Sequence, residues 1–134
     1  MLLPDARVLV TGSGRSPGPD TRDQLNYEIF SPPYLFKGAR PVISSAPAAL
    51  TYNQAFTVQT PDAGRIASVV LIADGNVTHG FNMNQHFVPL TFTVGSGSLT
   101  VTAPANANLA TPGYYMLFIV DSSGIPSVAA MVHF

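Results

Sequence analysis

Two of the chain's three histidines, His79 and His86, lie in one short uncharged segment, Val77–Phe87 (VTHGFNMNQHF). A neutral imidazole is a good ligand for divalent copper, and two imidazoles in one segment could also form a pair. Copper needs several ligands, however, so a single imidazole does not make a metal site. From the residues alone, His79 is a packed side chain, an exposed side chain or a metal ligand, and the first two are the commoner roles.

The other polar residues of this segment suit a turn. Asn84 and Gln85 stand directly before His86 and predict a turn there. We expect Asn82, Asn84 and Gln85 to shape the segment through bonds to nearby backbone rather than to contact a substrate. The third histidine, His133, ends the last predicted strand and is expected to face solvent.

Other kinds of catalytic site are not supported by the sequence. Asp62, Asp74 and Asp121 stand in turn contexts, where a carboxylate usually bonds to local backbone, so no carboxylate pair for hydrolysis is predicted. Thr11–Gly14 (TGSG) lacks the following helix that a phosphate-binding loop requires. The chain has no cysteine, so neither a thiolate metal site nor a disulfide can form.

The composition excludes some partners. Six Lys and Arg residues are spread over 134 positions and the net charge is -1, so no basic patch for nucleic acid is expected. No apolar run approaches the roughly 18 residues of a membrane helix. A secretory signal needs an uninterrupted apolar segment, whereas Pro4, Asp5 and Arg7 interrupt the opening residues. Only 10% of residues are charged, against about a quarter in an ordinary domain. Such a surface favours contact with a partner, or self-association.

The sequence pattern predicts a series of short strands with almost no helix. Twelve prolines and eleven glycines divide it, and no long stretch has the apolar period of a helix. Tyr114 and Tyr115 lie in a strongly apolar run, which favours the core or an interface over sugar stacking, with one ring inward and the other outward. The predicted strands are Ala6–Thr11, Tyr27–Phe30, Val42–Ser44, Ala55–Thr60, Ile66–Ala73, Phe87–Val94, Ser98–Thr102, Gly113–Val120 and Val128–Phe134.

The pattern predicts an all-β fold, an immunoglobulin-like β-sandwich over residues 39–134. Leu99–Thr102 alternates apolar and polar side chains, which is typical of a sheet with one wet face. Met116–Val120 is apolar throughout, which suits a central strand covered on both sides. Residues 1–38 differ, since they hold two strands joined by a polar Pro/Gly/Asp loop that runs to Asp23. Two strands do not form a core alone, so we expect them to extend a larger sheet.

Four separated segments resemble the C-terminal end of a known family, the copper radical oxidases that include galactose oxidase and glyoxal oxidase. These segments are Leu2–Val8 (LLPDARV), Tyr27–Leu35 (YEIFSPPYL), Thr78–Gln85 (THGFNMNQ) and Pro112–Ala129 (PGYYMLFIVDSSGIPSVA). Their order and spacing match the family over essentially the whole chain. Four such matches arise by chance much less often than one.

The resemblance implies two domains and one metal ligand. Residues 1–38 would be the two-strand remnant of the last blade of a kelch-type propeller, and residues 39–134 an early-set immunoglobulin-like domain. His79 would lie on a hairpin that reaches through the propeller to copper. His86 stands where the family usually has Arg or another polar residue, so we expect it at the surface or behind the ligands. The family's Tyr-His ligand pair precedes the LLPD strand, and its tyrosine–cysteine cofactor lies further upstream.

The resemblance therefore implies a C-terminal domain that caps the propeller of a secreted galactose oxidase-like enzyme and donates one copper ligand. The parent would oxidise a primary alcohol or aldehyde with O₂ and give H₂O₂, while this chain alone, a piece or truncated relative of such an enzyme, would bind copper weakly and not turn over. The substrate, whether a carbohydrate or a small alcohol or aldehyde, is set elsewhere. The alternative is a non-catalytic β-sandwich module that binds carbohydrate or protein.

Overall fold

The computed structural model describes residues 1–12 and 25–134 and is almost entirely β. The loop predicted to run to Asp23, with Ser13 and Gly14 of the TGSG motif, lies outside the described residues. None of the helices that are described is long and apolar enough to cross a membrane. Two short 3₁₀ helices span Pro33–Phe36 and Ala63–Arg65. The strands are β1 Val8–Thr11, β2 Tyr27–Phe30, β3 Ala55–Gln59, β4 Ile66–Ala73, β5 Val77–Thr78, β6 Phe81–Asn82, β7 Phe87–Leu90, β8 Phe92–Gly95, β9 Ser98–Thr102, β10 Tyr114–Asp121 and β11 Ala130–His133.

Two antiparallel sheets form the sandwich that the sequence predicts. One sheet has the order β11-β10-β4-β7 and the other the order β3-β9-β8. Strand β9 buries Leu99 and Val101 and exposes Thr100, as its alternating pattern requires. Each fully buried aliphatic side chain of this kind contributes roughly 1.5–3 kcal/mol. The interior between the sheets includes Val58, Val69, Leu71, Leu99, Val101, Tyr115, Leu117, Ile119 and Val132.

The N-terminal residues cover part of the outer face of the four-stranded sheet, which explains why Met116–Val120 of β10 is apolar at every position. Tyr115, Leu117 and Ile119 face the interior, whereas Met116 and Phe118 form a second cluster on the outside. Ala6, Leu2, Tyr34 and Leu35 pack against that second cluster. Strands β1 and β2 pair with each other in a two-stranded sheet. The domain boundary at residues 38 and 39 stays a prediction.

Two of the predicted strands differ from the structure. Val42–Ser44 is not a strand, because its contact with β3 is limited to the neighbourhood of Ser45 and Gln59 and the run is flanked by prolines. Phe87–Val94 is two strands, since the chain leaves the four-stranded sheet after Leu90 and enters the other sheet at Phe92. An unbroken apolar and β-branched run in the sequence does not reveal such a change of sheet.

Arg40 joins the N-terminal residues to the sandwich. Its guanidinium donates from Nη1 to the carbonyl oxygen of Asp5 at 2.8 Å, from Nε to that of Pro126 at 2.9 Å, and from Nη2 to that of Ser127. Burial lowers the pKa of Arg40, and the Asp5 carboxylate and the Tyr34 hydroxyl act in the opposite direction. Arginine nevertheless stays charged in proteins, so one cation holds three carbonyls from two distant parts of the chain.

Replacing this cation tests its structural role. In Arg40→Met the apolar stem is kept, but three carbonyls lose their donor. We expect the free energy of unfolding to fall by about 2 kcal/mol, because bonds to charged groups contribute roughly 1.5–3 kcal/mol. Urea denaturation measures this change. Lys37→Met is the control, since exposed Lys37 makes one bond of 3.3 Å, to Ser123. Equal losses in the two variants would contradict the role of Arg40.

Asp62 makes folding stability depend on pH. Its carboxylate accepts the Val42 N–H at 2.9 Å and Arg65 Nε at 3.0 Å. The Val42 bond is the main cause that lowers the pKa of Asp62 below its usual 3.8, burial opposes it, and Arg65 lowers it further. A lowered carboxyl pKa stabilises the folded state above the usual value, and this stability is lost as the pH falls through the folded-state pKa.

We expect Asp62→Asn to remove part of this acid sensitivity. The amide oxygen can still accept the Val42 N–H, but no charge remains to be neutralised. The loss of stability below pH 3.8 should be shallower than in the wild type, by about 0.5 kcal/mol for a partly exposed pair. Urea midpoints measured from neutral pH to pH 2.5 supply the comparison; superimposable profiles would show that Asp62 is not a source of the effect.

Candidate functional site

His79 lies at the tip of a short β-hairpin that leaves the end of β4. Strands β5 and β6 pair through Val77 with Asn82 and Thr78 with Phe81, so His79 and Gly80 form the turn. The backbone φ of His79 is +55°, in the left-handed region that few non-glycine residues adopt. The chain bends again at Met83 and Asn84, beside the place where the sequence predicts a turn. A hairpin at this place is what the family resemblance implied.

The His79 imidazole is exposed, and one of its nitrogens has a partner. Nδ1 lies 3.0 Å from the hydroxyl oxygen of Thr78. When Nδ1 carries the hydrogen and donates it to Thr78, the lone pair of Nε2 is free to bind a metal. Metal-binding histidines commonly have such a partner on the second nitrogen. The Thr78 contact could not be predicted from the sequence, because the side chains of adjacent residues often do not bond to each other.

His79 lines a cavity of about 370 Å³ with the start of the chain and with β1. Met1 is held there by two backbone bonds, from its amino group to Leu9 O at 2.7 Å and from Leu9 N to Met1 O at 2.8 Å. The cavity also contacts Val10, Thr11 and Val77. The fold thus brings Met1 and His79, which are 78 positions apart in the sequence, to the same cavity.

Three amide side chains shape the hairpin base, as expected from the sequence. The Oδ1 atom of Asn82 accepts the backbone N–H groups of Asn76 at 3.1 Å and Gln85 at 3.2 Å. Its Nδ2 atom donates to Oε1 of Gln85 at 2.8 Å. Asn84 donates from Nδ2 to the carbonyl oxygen of Asp74 at 3.1 Å, which links the two ends of the segment. These bonds connect uncharged groups.

The structure places His86 and His133 apart from this tip. His86 is partly buried, with Nδ1 3.0 Å from Asn84 O and Nε2 3.2 Å from the Tyr115 hydroxyl. Its partner is therefore Tyr115 rather than His79. His133 is exposed as predicted, and its Nδ1 lies 2.8 Å from Ala48 O. Tyr114 is 63% exposed and Tyr115 is 1% exposed, so one ring faces outward and the other inward, as expected.

The donor chemistry suits copper, but the number of donors does not complete a site. An exposed neutral imidazole is a suitable ligand for divalent copper. Within residues 1–12 and 25–134, no group of three or more His, Cys, Asp or Glu side chains is placed to hold a metal ion. His79 can therefore supply one ligand atom, and the others would have to come from outside these residues.

Comparisons with known proteins agree with the resemblance. Residues 40–134 match the family of galactose oxidase-like early set domains. Galactose oxidase of Gibberella zeae is 34% identical over 98% of this chain, and the aldehyde oxidase GLOX of Vitis pseudoreticulata is 36% identical over the same share. A solved fungal alcohol oxidase of the AA5 family, in complex with copper, superimposes with a TM-score of 0.85 at 31% identity over 98% of the chain.

The chain spans only part of each of these proteins. It covers 20% of the length of the Gibberella enzyme, 28% of the Vitis enzyme and 29% of the solved alcohol oxidase. Together, the all-β sandwich, the family match over residues 40–134 and the structural likeness over nearly the whole chain identify it as a member of the galactose oxidase-like early set domain family.

Proposed function

We propose that this chain serves as the C-terminal part of a longer copper radical oxidase and donates Nε2 of His79 to the copper. The observation that carries the proposal is an exposed imidazole at a hairpin tip, with Nδ1 beside Thr78 and Nε2 available. When bound, copper would supply one-electron redox chemistry and a coordination position for the substrate oxygen. The reaction of the whole enzyme is RCH₂OH + O₂ → RCHO + H₂O₂, or the corresponding oxidation of an aldehyde.

The surroundings of His79 support a site shared with an upstream region. Met1 and His79 line one cavity, so residues joined to the amino group of Met1 would pass close to the imidazole. The family resemblance puts a Tyr-His pair of ligands at that position. A phenol oxygen and two imidazole nitrogens are donors that suit divalent copper.

The exposed apolar residues support a capping role. Phe81 and Met83 on the hairpin are each 71% exposed, and Tyr27 and Phe30 of β2 are 70% and 57% exposed. A domain with so few charges gains stability when a partner covers such residues. We propose that this partner is the upstream β-propeller, and that the chain alone self-associates through the same surface. Secretion belongs to the proposal as well, by analogy with the family.

The substrate class follows from the relatives rather than from this chain. The similar proteins are named galactose oxidase, aldehyde oxidase and alcohol oxidase. These names share the oxidation of a primary alcohol or an aldehyde. The chain's own contribution is to orient one ligand and to close the propeller, and neither task distinguishes a sugar alcohol from a smaller substrate.

The direct test replaces the imidazole in the full-length oxidase. We expect His79→Ala to lower copper-dependent H₂O₂ production more than about 100-fold, because loss of a partner behind a ligand already costs 10–100-fold. Production is measured with galactose, methylglyoxal and benzyl alcohol through a peroxidase-coupled assay. The variant should keep the wild-type melting temperature of this domain, because the His79 side chain is exposed.

The matched control is His133→Ala, which removes another exposed imidazole bonded to one neighbour. This variant should keep wild-type copper content and activity. Undiminished turnover in His79→Ala would remove His79 from the metal site and would leave this domain without a direct part in the reaction.

A further inference from the structure

We propose that His86 is the positioning residue that fixes the orientation of the hairpin carrying His79 relative to the sandwich core. The contacts that His86 makes with Asn84 and Tyr115 are features of this chain. Its consequence for copper rests on the function proposed above.

The hairpin needs such an anchor because its own strand pairing is short. Strands β5 and β6 share two residue pairs, and a two-stranded hairpin is marginal in water even when it is longer. Side-chain bonds at Asn82 hold the hairpin together internally but do not tie it to the sheets. Backbone bonds from Asp74 N to Tyr114 O at 3.2 Å and from Ala73 N to His86 O at 3.1 Å hold the base of the segment to the sheet, and the side-chain contact with the core comes from His86.

His86 bridges the hairpin base and the core through its two ring nitrogens. The carbonyl oxygen of Asn84 can only accept, so Nδ1 of His86 carries a hydrogen and donates it at 3.0 Å. Nε2 lies 3.2 Å from the hydroxyl of Tyr115, a residue 29 positions away. Asn84 in turn donates to Asp74 O. The bonds therefore run without a break from β10 to both ends of the hairpin segment.

Tyr115 is a rigid end for this bridge. Its side chain is 1% exposed, and its hydroxyl donates to Thr111 O at 2.7 Å. The ring of His86 meets the Tyr115 ring edge to face at a centroid distance of 5.6 Å, and Phe134 packs edge to face on Tyr115 at 5.7 Å. The Tyr115 hydroxyl has one hydrogen, so it either donates to Thr111 O and accepts Nε2–H of His86, or donates to Nε2 in place of Thr111 O.

Three substitutions separate the two bonds of His86. His86→Phe keeps an aromatic ring against Tyr115 but removes both bonds. His86→Asn keeps a donor near the position of Nδ1, which preserves the bond to Asn84 and removes the bond to Tyr115. His86→Gln extends an amide towards Tyr115 and gives up the bond to Asn84. If the bridge to the core is what orients the hairpin, the Gln variant is rescued and the Asn variant is not.

Backbone ¹⁵N relaxation of the 134-residue chain measures the effect directly. In the wild type we expect order parameters near 0.85 for residues 77–82, as in rigid backbone, and in His86→Phe and His86→Asn values below about 0.6. His86→Gln should restore at least half of the difference. Order parameters in β4 and β10 should be unchanged in all three variants, because a purely structural loss would act on the whole domain.

His133→Phe is the matched control, since His133 also bonds to a backbone carbonyl through Nδ1 but lies on β11. It should leave residues 77–82 unchanged. The inference is overturned if the wild-type hairpin is already flexible, if His86→Phe leaves it rigid, or if His133→Phe loosens it as much.

In the full-length oxidase, His86→Phe should weaken copper binding by about 10–100-fold, measured by competition with a chelator. Copper affinity should stay unchanged in this variant if His79 is not a ligand, whereas the relaxation result does not depend on copper. A flexible hairpin with unchanged copper affinity would therefore count against the proposed metal site, and a rigid hairpin would count against the role of His86.

Discussion

The position of His79 depends on bonds at the base of a hairpin that is too short to hold itself. Two residue pairs form its ladder, so amide side chains satisfy the backbone groups that a longer ladder would pair. Asn82 and Asn84 do this without charge. Charged groups in the same places would be costly to bury beneath a partner, whereas amides that bond to one another are not. The proposed insertion into a neighbouring domain thus gives a reason for the uncharged, Asn-rich composition of the segment.

The exposed apolar residues and the hairpin belong to one region of the surface. Leu9, Val10 and Thr11 of β1 share a cavity with Val77 and His79. Strand β1 pairs with β2, whose four residues are all exposed, and a two-stranded sheet of this length is not stable alone in water. The part of the molecule that most needs covering therefore adjoins the part that presents the imidazole. A partner that extends the β1–β2 sheet would at the same time approach His79.

Local pattern predicted the strands well and the contacts between distant residues poorly. Alternation identified β9, and the long apolar run identified β10, whose outer face is covered by residues near the N-terminus. The change of sheet after Leu90 was missed, because Phe87–Val94 is apolar or β-branched on both sides of it. The hairpin at His79 was expected from the family resemblance and not from the residue types, because few non-glycine residues adopt a positive φ. The contact between His86 and Tyr115 joins residues that only the fold brings together.

In the proposed copper site, the role of this chain is limited by the number of ligand atoms that it can supply. This chain brings one exposed imidazole, and Nε2 is its free nitrogen when Nδ1 donates its hydrogen to Thr78. A single donor on a mobile loop would sample many positions, and copper would gain little from it. The same donor on a hairpin tied to a buried tyrosine occupies one position before any metal arrives, so less conformational entropy is lost on binding. In the proposed site the sandwich would affect copper affinity through rigidity rather than through chemistry of its own, and selection among substrates would fall to residues beyond this chain.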